Sequence, residues 1–372
     1  MKKFRLAFVT SSRSDWAKIR PYVAFFVQRE YPVFIFFAAK QTEDSEKNAF
    51  AAADKFPTVS WQQDIADASL SQTEYIARLT GKIGRFLEEN RVEFLFVHGD
   101  RPEALAAAAA GALSNIPVCQ IEAGDVSGNI DESIRHAITK LSHRFLADDE
   151  EAKKLVLRLG EDPRSVFVTG ASAITLLPPE DVRQAVLQKY NCLTPYAIVL
   201  YHPETRFSPA EQYDRARILV EELNKIPLSY VVISPNQDRG YEEVLRAYKL
   251  FSPEKARFFP SLPCEEYLSL LSCAVCLVGN SSSGFKDAPL LGTTTVNVGD
   301  RQYDRGRGRN FSSVLQAPAG TDIAPLIRPL IQNGPRRRTP EQNARALTAV
   351  FERIFTDDFF QPPLQKHFYF PD

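Results

Sequence analysis

The sequence is short of net charge, of long apolar runs and of cysteine. Its 45 Lys and Arg stand against 46 Asp and Glu, for a formal net charge of -1. No global field therefore favours nucleic acid or a membrane surface as a partner. Apolar stretches such as Val33–Ala39 fall far short of the roughly 20 residues that a membrane span needs. The opening MKKFRLAFVTSSRSD starts basic, but its apolar run is only about five residues before polar ones follow. That predicts a buried first strand rather than an export signal, and a cytoplasmic location. Without export, the five cysteines are expected as reduced thiols. Cys273 and Cys276 form a CxxC inside the apolar run CAVCLVG, with no partner pair or nearby histidine, and read as core. No histidine belongs to an HExxH spacing, and His136 and His143 are a helical seven apart. No metal is expected. Short-period repeats and long low-complexity tracts are also absent.

What is present is a regular alternation of apolar runs and amphipathic stretches over 372 residues, a length that suits two domains. Strands are predicted over Phe4–Thr10, Val33–Ala39, Phe94–Val97, Val118–Ile121, Arg144–Ala147 and Val166–Val168. Helices are predicted over Asp15–Arg29, Thr73–Asn90, Glu103–Leu113, Ile130–Leu141 and Glu150–Leu159. This is the signature of a doubly wound parallel sheet. Leu177-Pro178-Pro179 interrupts it, which puts a boundary near 176–185. The rhythm then restarts, with strands over Tyr196–Leu200, Tyr230–Ser234, Ala256–Phe259, Val275–Val278 and Thr294–Val298. Helices over Pro209–Lys225, Tyr241–Lys249, Cys264–Leu271 and Phe285–Leu291 separate them. The expected fold class is α/β, two Rossmann-like doubly wound domains facing a central cleft. The expected limits are 1–176 for the first domain, 185–340 for the second, and 341–372 for a last helix and tail.

Open α/β sheets bind ligands at the C-terminal ends of their strands. Residues 97–143 gather Asp100, Glu122, Asp125, Asp131 and Glu132, with His98, Arg101, Arg135 and His136, on turns between apolar runs. Carboxylates crowded at such an edge must share protons or meet cations, which spreads their proton affinities for acid/base work. The first turn, Thr10 to Asp15, adds Arg13 and then Lys18 as candidate anion contacts; helix capping explains Ser14 or Asp15 but not Arg13. In the second half, the apolar run Leu277-Val278 feeds Gly279-Asn280-Ser281-Ser282-Ser283-Gly284. Backbone N–H groups and hydroxyls at that helix start suit a diphosphate, although one serine would serve as a plain cap. Downstream lie Asp300, Arg301 and the arginines Arg305, Arg307 and Arg309, interleaved with glycine. His202 ends a strand with Arg206 close by and is expected to titrate near neutrality. His98 is expected to be an internal structural histidine.

HGDR (98–101), IEAGDVSG (121–128), DESIRHAITKLSH (131–143), YHP (201–203), SPN (234–236), GNSSSGFKDAP (279–289) and GDRQYDRGRGRN (299–310) closely resemble motifs of the hydrolysing UDP-N-acetylglucosamine 2-epimerases. These are sialic-acid-pathway enzymes of bacteria and of the animal bifunctional epimerase/kinase. The resemblance runs from residue 4 to beyond 310. It implies a glycosyltransferase-B-like fold whose C-terminal helices pack back on the first domain. It also implies proton removal at sugar C2, expulsion of UDP from C1, and water addition that yields N-acetylmannosamine. Asp100, Glu122 and Asp131 would be the acid/base carboxylates, and His202 would lie near the leaving group. Arg13, Lys18, Arg101, Asn236, Ser281, Ser282, Ser283, Gly284, Asp287 and Arg301 would hold the nucleotide sugar. The route needs no metal, NAD or other cofactor, and relatives assemble as homodimers or homotetramers. The chain departs from the family pattern at Thr175, where an aspartate is usual, at Asp287 and Asp125, usually glutamates, and at Ala123 and Ser11, usually glycines. These departures bear on the substrate and on activity, not on the fold. The alternatives are the same chemistry on a UDP- or GDP-diacetamido-trideoxyhexose, a catalytically impaired nucleotide-sugar-binding paralogue, and a glycosyltransferase of the same fold.

Overall fold

The computed structural model describes residues 2–39, 59–65, 70–126, 130–192, 195–204, 206–236, 238–302, 312–334 and 341–369. Side chains of 13–14, 39, 59–65, 173–174 and 341–346 are not among those described. The chain divides into two compact units, Met1–Thr175 with Asn343–Asp372, and Leu176–Gln342.

The first unit is built on strands β1 (Leu6–Thr10), β2 (Val33–Ala39), β3 (Val59–Ile65), β4 (Phe94–His98), β5 (Val118–Ile121), β6 (Arg144–Ala147) and β7 (Val166–Val168). They form one sheet in the order β3-β2-β1-β4-β5-β6-β7, every pairing parallel. The order reverses between β1 and β4, so the crevice at their C-terminal ends is the switch point where ligands bind. The described side chains of β1, β4 and β5 are all buried, as a parallel sheet covered on both faces requires.

One face is covered by the helix Arg13–Gln28 and by the last two helices, Glu341–Ile354 and Asp357–Phe360. Phe351, Phe355, Phe359 and Phe360 join Phe8, Tyr22, Phe26, Phe94 and Phe96 in one buried cluster. Phe8 and Phe96 stack with centroids 4.6 Å apart, and Phe26 and Phe355 lie 4.8 Å apart. The other face is covered by Gln72–Glu89 and the alanine-rich Pro102–Leu113. Small side chains there bring that helix close to the sheet: a Cβ on Gly111 would sit 2.7 Å from a methyl of Val118.

The second unit uses β8 (Tyr196–Leu200), β9 (Ser229–Ile233), β10 (Ala256–Phe259), β11 (Cys276–Gly279), β12 (Thr294–Val298) and β13 (Val314–Ala317). Their order is β10-β9-β8-β11-β12-β13, again with parallel pairings. Here the switch point lies between β8 and β11. Cys276 is buried in β11, and Cys273 closes the preceding helix Cys264–Cys273.

Two expectations change. The helix expected over Phe285–Leu291 is two short helices, Ser283–Lys286 and Ala288–Leu291. Pro289, in the first turn of the second, has no N–H to carry the ladder across the break. Three helices not anticipated, Glu180–Lys189, Ala324–Asn333 and Asp357–Phe360, complete the units, together with edge strands β3 and β13.

Candidate active site

In the first unit the turn after β1 lies beside the end of β4. Ser12 caps the helix Arg13–Gln28, its hydroxyl accepting from the Asp15 N–H. Asp15 thereby points back to the sheet edge, where it accepts from the Ser11 N–H at 3.1 Å and the Ser11 hydroxyl at 2.7 Å. Its other oxygen lies 2.7 Å from His98 Nδ1. His98 Nε2 faces Glu122 at 3.4 Å, and Lys18 Nζ lies 3.8 Å from the second Glu122 oxygen. Asp15, His98 and Glu122 are all buried.

Burial alone would pull the His98 imidazole down, but Glu122 and Asp15 outweigh it and push its pKa up to about 9. Burial would raise the Asp15 carboxyl, and His98 holds it below the ordinary range. His98 is internal, as expected, and is held as a cation between two carboxylates. Glu122 has φ 57°, a left-handed backbone that costs a non-glycine residue on the order of 1–3 kcal/mol. Gly124 follows at φ +76°, where a Cβ would come 2.0 Å from the Ala152 carbonyl oxygen.

A second group sits beside the first. Asp100 is ion-paired with Arg135, which is almost wholly buried. Arg135 Nη1 also donates to the Asp125 carbonyl at 2.8 Å and lies 3.7 Å from Glu132. Asp131 and Glu132 occupy the first turn of the helix Ile130–Leu141. Between this helix and Glu150–Arg158 lies a cavity of about 170 Å³, bordered by Asp125, Glu132, Arg135, His136, Thr139 and Arg158, among others. Arg101 takes another course: half-exposed at the helix N-cap, it reaches Glu103 at 3.3 Å. Thr175 donates to the Ser172 carbonyl at 2.9 Å. The Arg13 side chain, residues 127–129 and Arg305, Arg307 and Arg309 lie outside the described residues.

In the second unit, buried Asn280 ties the two strand ends at the switch point together. It accepts from the His202 N–H at 2.7 Å and donates to the His202 carbonyl at 2.9 Å. The Asn280 carbonyl in turn accepts from Arg301 and from Gln302, both at 3.1 Å. The expectation that His202 titrates near neutrality is overturned. Packing around the ring, and then Arg301, pull its pKa down to about 3. Its Nδ1 accepts from the Asn236 N–H at 3.0 Å, which leaves the proton on Nε2.

The serine turn is more internally engaged than a plain cap. The Ser281 hydroxyl accepts from the Ser283 N–H at 3.3 Å, and the Ser283 hydroxyl pairs with Tyr267 at 2.5 Å. Ser282 occupies the N-cap position without a side-chain cap bond. Gly284 packs against Thr295, where a Cβ would lie 2.6 Å from its methyl. Asp287 sits half-buried at the break between the two short helices. Asp15 and Asn280 carry this geometry and were not singled out as site residues from the sequence; their places just after strand ends were the available signal, and their partners lie far along the chain. Arg135, named only among the cations near the carboxylates, proves to be the partner of Asp100.

Among the described residues, no helix is long and apolar enough to cross a membrane, and no cluster of three or more His, Cys, Asp or Glu is arranged to hold a metal ion.

The family model for UDP-N-acetylglucosamine 2-epimerase matches residues 32–343. A UDP-N-acetylglucosamine 2-epimerase of Neisseria meningitidis serogroup B is 32% identical over 322 residues, covering 82% of this chain and 82% of that one. The polysialic acid biosynthesis protein P7 of Escherichia coli is 37% identical over 244 residues, 63% of this chain and 61% of that one. A GDP/UDP-N,N'-diacetylbacillosamine 2-epimerase (hydrolyzing) of Campylobacter jejuni is 32% identical over 235 residues, 60% of each. Among solved structures, a Neisseria meningitidis UDP-GlcNAc 2-epimerase bound to UDP-GlcNAc aligns with TM-score 0.74 at 16% identity, over 94% of this chain and 98% of that one. The Methanocaldococcus jannaschii UDP-GlcNAc 2-epimerase with UDP-GlcNAc and UDP gives 0.73 at 17% identity, over 94% of this chain and 98% of that one. These two likenesses concern the fold, which is the two-unit α/β architecture of those enzymes. With the matched span covering most of its length, the chain belongs to the UDP-N-acetylglucosamine 2-epimerase family.

Proposed function

We propose that the chain is a hydrolysing 2-epimerase that converts UDP-N-acetylglucosamine to N-acetylmannosamine and UDP. The observation that carries this reading is the charge-compensated cluster Lys18–Glu122–His98–Asp15 beside the Asp100–Arg135 pair, all at the switch point of the first sheet.

The sugar C2–H is weakly acidic, so its removal needs a carboxylate within hydrogen-bond reach. Asp100, Glu122 and Asp131 supply three. Cations beside two of them, Lys18 and His98 at Glu122 and Arg135 at Asp100, let negative charge persist in a buried setting. The C2–H electron pair becomes the C1=C2 double bond of a 2-acetamidoglucal as the C1–O bond breaks; the C1–O pair leaves with UDP and charge grows on the diphosphate. The second unit offers groups suited to that charge: the Nε2–H of a neutral His202, the serine turn and Arg301. Water then adds across the glycal, its proton returning to C2 and its hydroxyl to C1. Cytoplasmic location and assembly as a homodimer or homotetramer belong to the same reading.

The test is turnover of UDP-N-acetylglucosamine in deuterated water. UDP and C2-deuterated N-acetylmannosamine are expected; a product that keeps its original C2 hydrogen would rule out elimination. The likeness to the Campylobacter jejuni protein favours one second reading, the same chemistry on a UDP- or GDP-diacetamido-trideoxyhexose. Comparing UDP release from both sugars separates the two.

A further inference from the structure

The residues Lys140-Leu141-Ser142-His143, at and just beyond the end of the helix Ile130–Leu141, have no part in the chemistry above. The tail of the chain returns to them within the same unit. Lys366 Nζ donates to the Thr139 and Lys140 carbonyls, both at 3.1 Å. A helix C-terminus leaves such carbonyls without helical partners and favours a cation. Glu161, 3% exposed, pairs with Lys366 at 2.8 Å and with Lys140 at 2.6 Å.

Further contacts hold the stretch and the tail in place. His143 Nδ1 accepts from the Val118 N–H at 3.2 Å, which leaves Nε2–H to donate to the Leu364 carbonyl at 3.3 Å. The Tyr369 N–H donates to the Gly160 carbonyl at 3.0 Å. The Phe368 ring lies so close to Gly160 that a Cβ there would meet it at 2.4 Å, and the Lys140 ammonium sits 4.6 Å from the centre of that ring.

The far end of this helix carries Asp131 in its first turn, and Arg135, the partner of Asp100, stands midway along it. Its 12 residues make a rod of about 18 Å, so a restraint at one end sets the position of the other. We propose that residues 361–369 are a positioning strap: by gripping the C-terminal end of this helix, they fix where Asp131 and the Asp100–Arg135 pair present their carboxylates. The inference rests on the functional reading above. Lys366 and Glu161 are positioning residues in it, far from the reacting atoms.

The test uses the full-length protein with Lys366→Met, which keeps the stem, removes the ammonium and leaves Lys140 to neutralise Glu161. Phe368→Ala, at a side chain that is 64% exposed, loosens the strap without opening the core and serves if the first variant does not fold. Measured together are kcat, KM, UDP affinity and amide hydrogen exchange of peptides covering 130–143. The expected result is a kcat about tenfold lower, since small misplacements of reacting groups are costly. KM and UDP affinity should stay near wild type, exchange in the last turn should quicken, and Lys366→Arg should recover most of the loss. A lowered melting temperature with unchanged kcat would reduce the strap to a stabilising contact and overturn the proposal. If the wild type turns over no nucleotide sugar, the functional reading fails, and exchange alone judges the strap. Unchanged exchange then refutes it, and faster exchange upholds the hold on the helix.

Discussion

Replacing Asp15 by Asn tests the charge state of the first cluster. Asparagine keeps an oxygen for the Ser11 N–H and hydroxyl, but it turns an NH2 toward His98 Nδ1. That nitrogen must then offer a lone pair, so the substitution selects a neutral imidazole carrying its proton on Nε2. In the native protein the imidazole holds its proton up to about pH 9, against an ordinary 6.5. A rise of that size corresponds to on the order of 3 kcal/mol of folding free energy. Because the folded value is the higher one, this stabilisation is fully present below pH 6.5 and is lost as pH climbs through about 9. Asp15 works in the opposite direction. Its folded pKa lies below 3.8, so its share is present above that value and is lost as pH falls through the folded value.

Denaturant unfolding of wild type should therefore weaken steadily between pH 6.5 and 9. Asp15→Asn should flatten that slope, and the midpoint of the His98 proton signal should fall well below the alkaline one of wild type, with Glu122 still holding it up. His98→Asn identifies that signal among the five histidines. A wild-type His98 that titrates at or below 6.5, or an Asp15→Asn protein in which it still titrates near 9, would refute the reasoning.

Three other outcomes follow from single contacts. Asn280→Ala strips both backbone partners from His202 at 2.7 and 2.9 Å; a loss of about 1–3 kcal/mol is expected in urea unfolding, with weaker UDP binding by calorimetry. Gly279→Ala would put a Cβ 2.1 Å from the Leu200 carbonyl oxygen at φ +142°, so β8 and β11 must part; a loss of roughly 3 kcal/mol or more should appear in thermal unfolding. Phe355→Ala removes a ring with centroids of Phe26 at 4.8 Å and Phe359 at 4.9 Å, and should cost about 3–5 kcal/mol in the same experiment.

The buried strands were legible because parallel strands covered on both faces are continuous apolar runs. β2, β5, β6, β8 and β12, paired on both sides, fall where they are expected, and so do the edge strands β7 and β10, whose sequences are still mostly apolar. β3, with Gln62, Gln63 and Asp64, and the short β13, Val314–Ala317, were not. Each pairs on one side only, so neither needs an apolar run. Within the site, Lys18, Asp100 and Glu122 could be named from their places after strand ends. Their partners could not: Asp15 meets His98 across 83 residues, and Asn280 meets His202 across 78. The neutrality of His202 was hidden for the same reason, since it comes from packing and from Arg301, which only the folded chain brings together.

The energetics of the first cluster argue for function over stability. Taking Asp15, His98, Glu122 and Lys18 out of water costs several kcal/mol per ion, and buried ion pairs recover that only with excellent geometry. Here the geometry is uneven. Asp15 to His98 is a close contact of 2.7 Å, while His98 and Lys18 stand 3.4 and 3.8 Å from Glu122. Glu122 also holds a left-handed backbone, φ 57°, that a glycine would adopt without strain. An apolar core of the same volume is the easier way to stabilise a sheet edge. A strained carboxylate flanked by two cations, at the one edge where a doubly wound sheet exposes its crevice, fits the proposed acid/base role of Glu122 better than a role in holding the fold together.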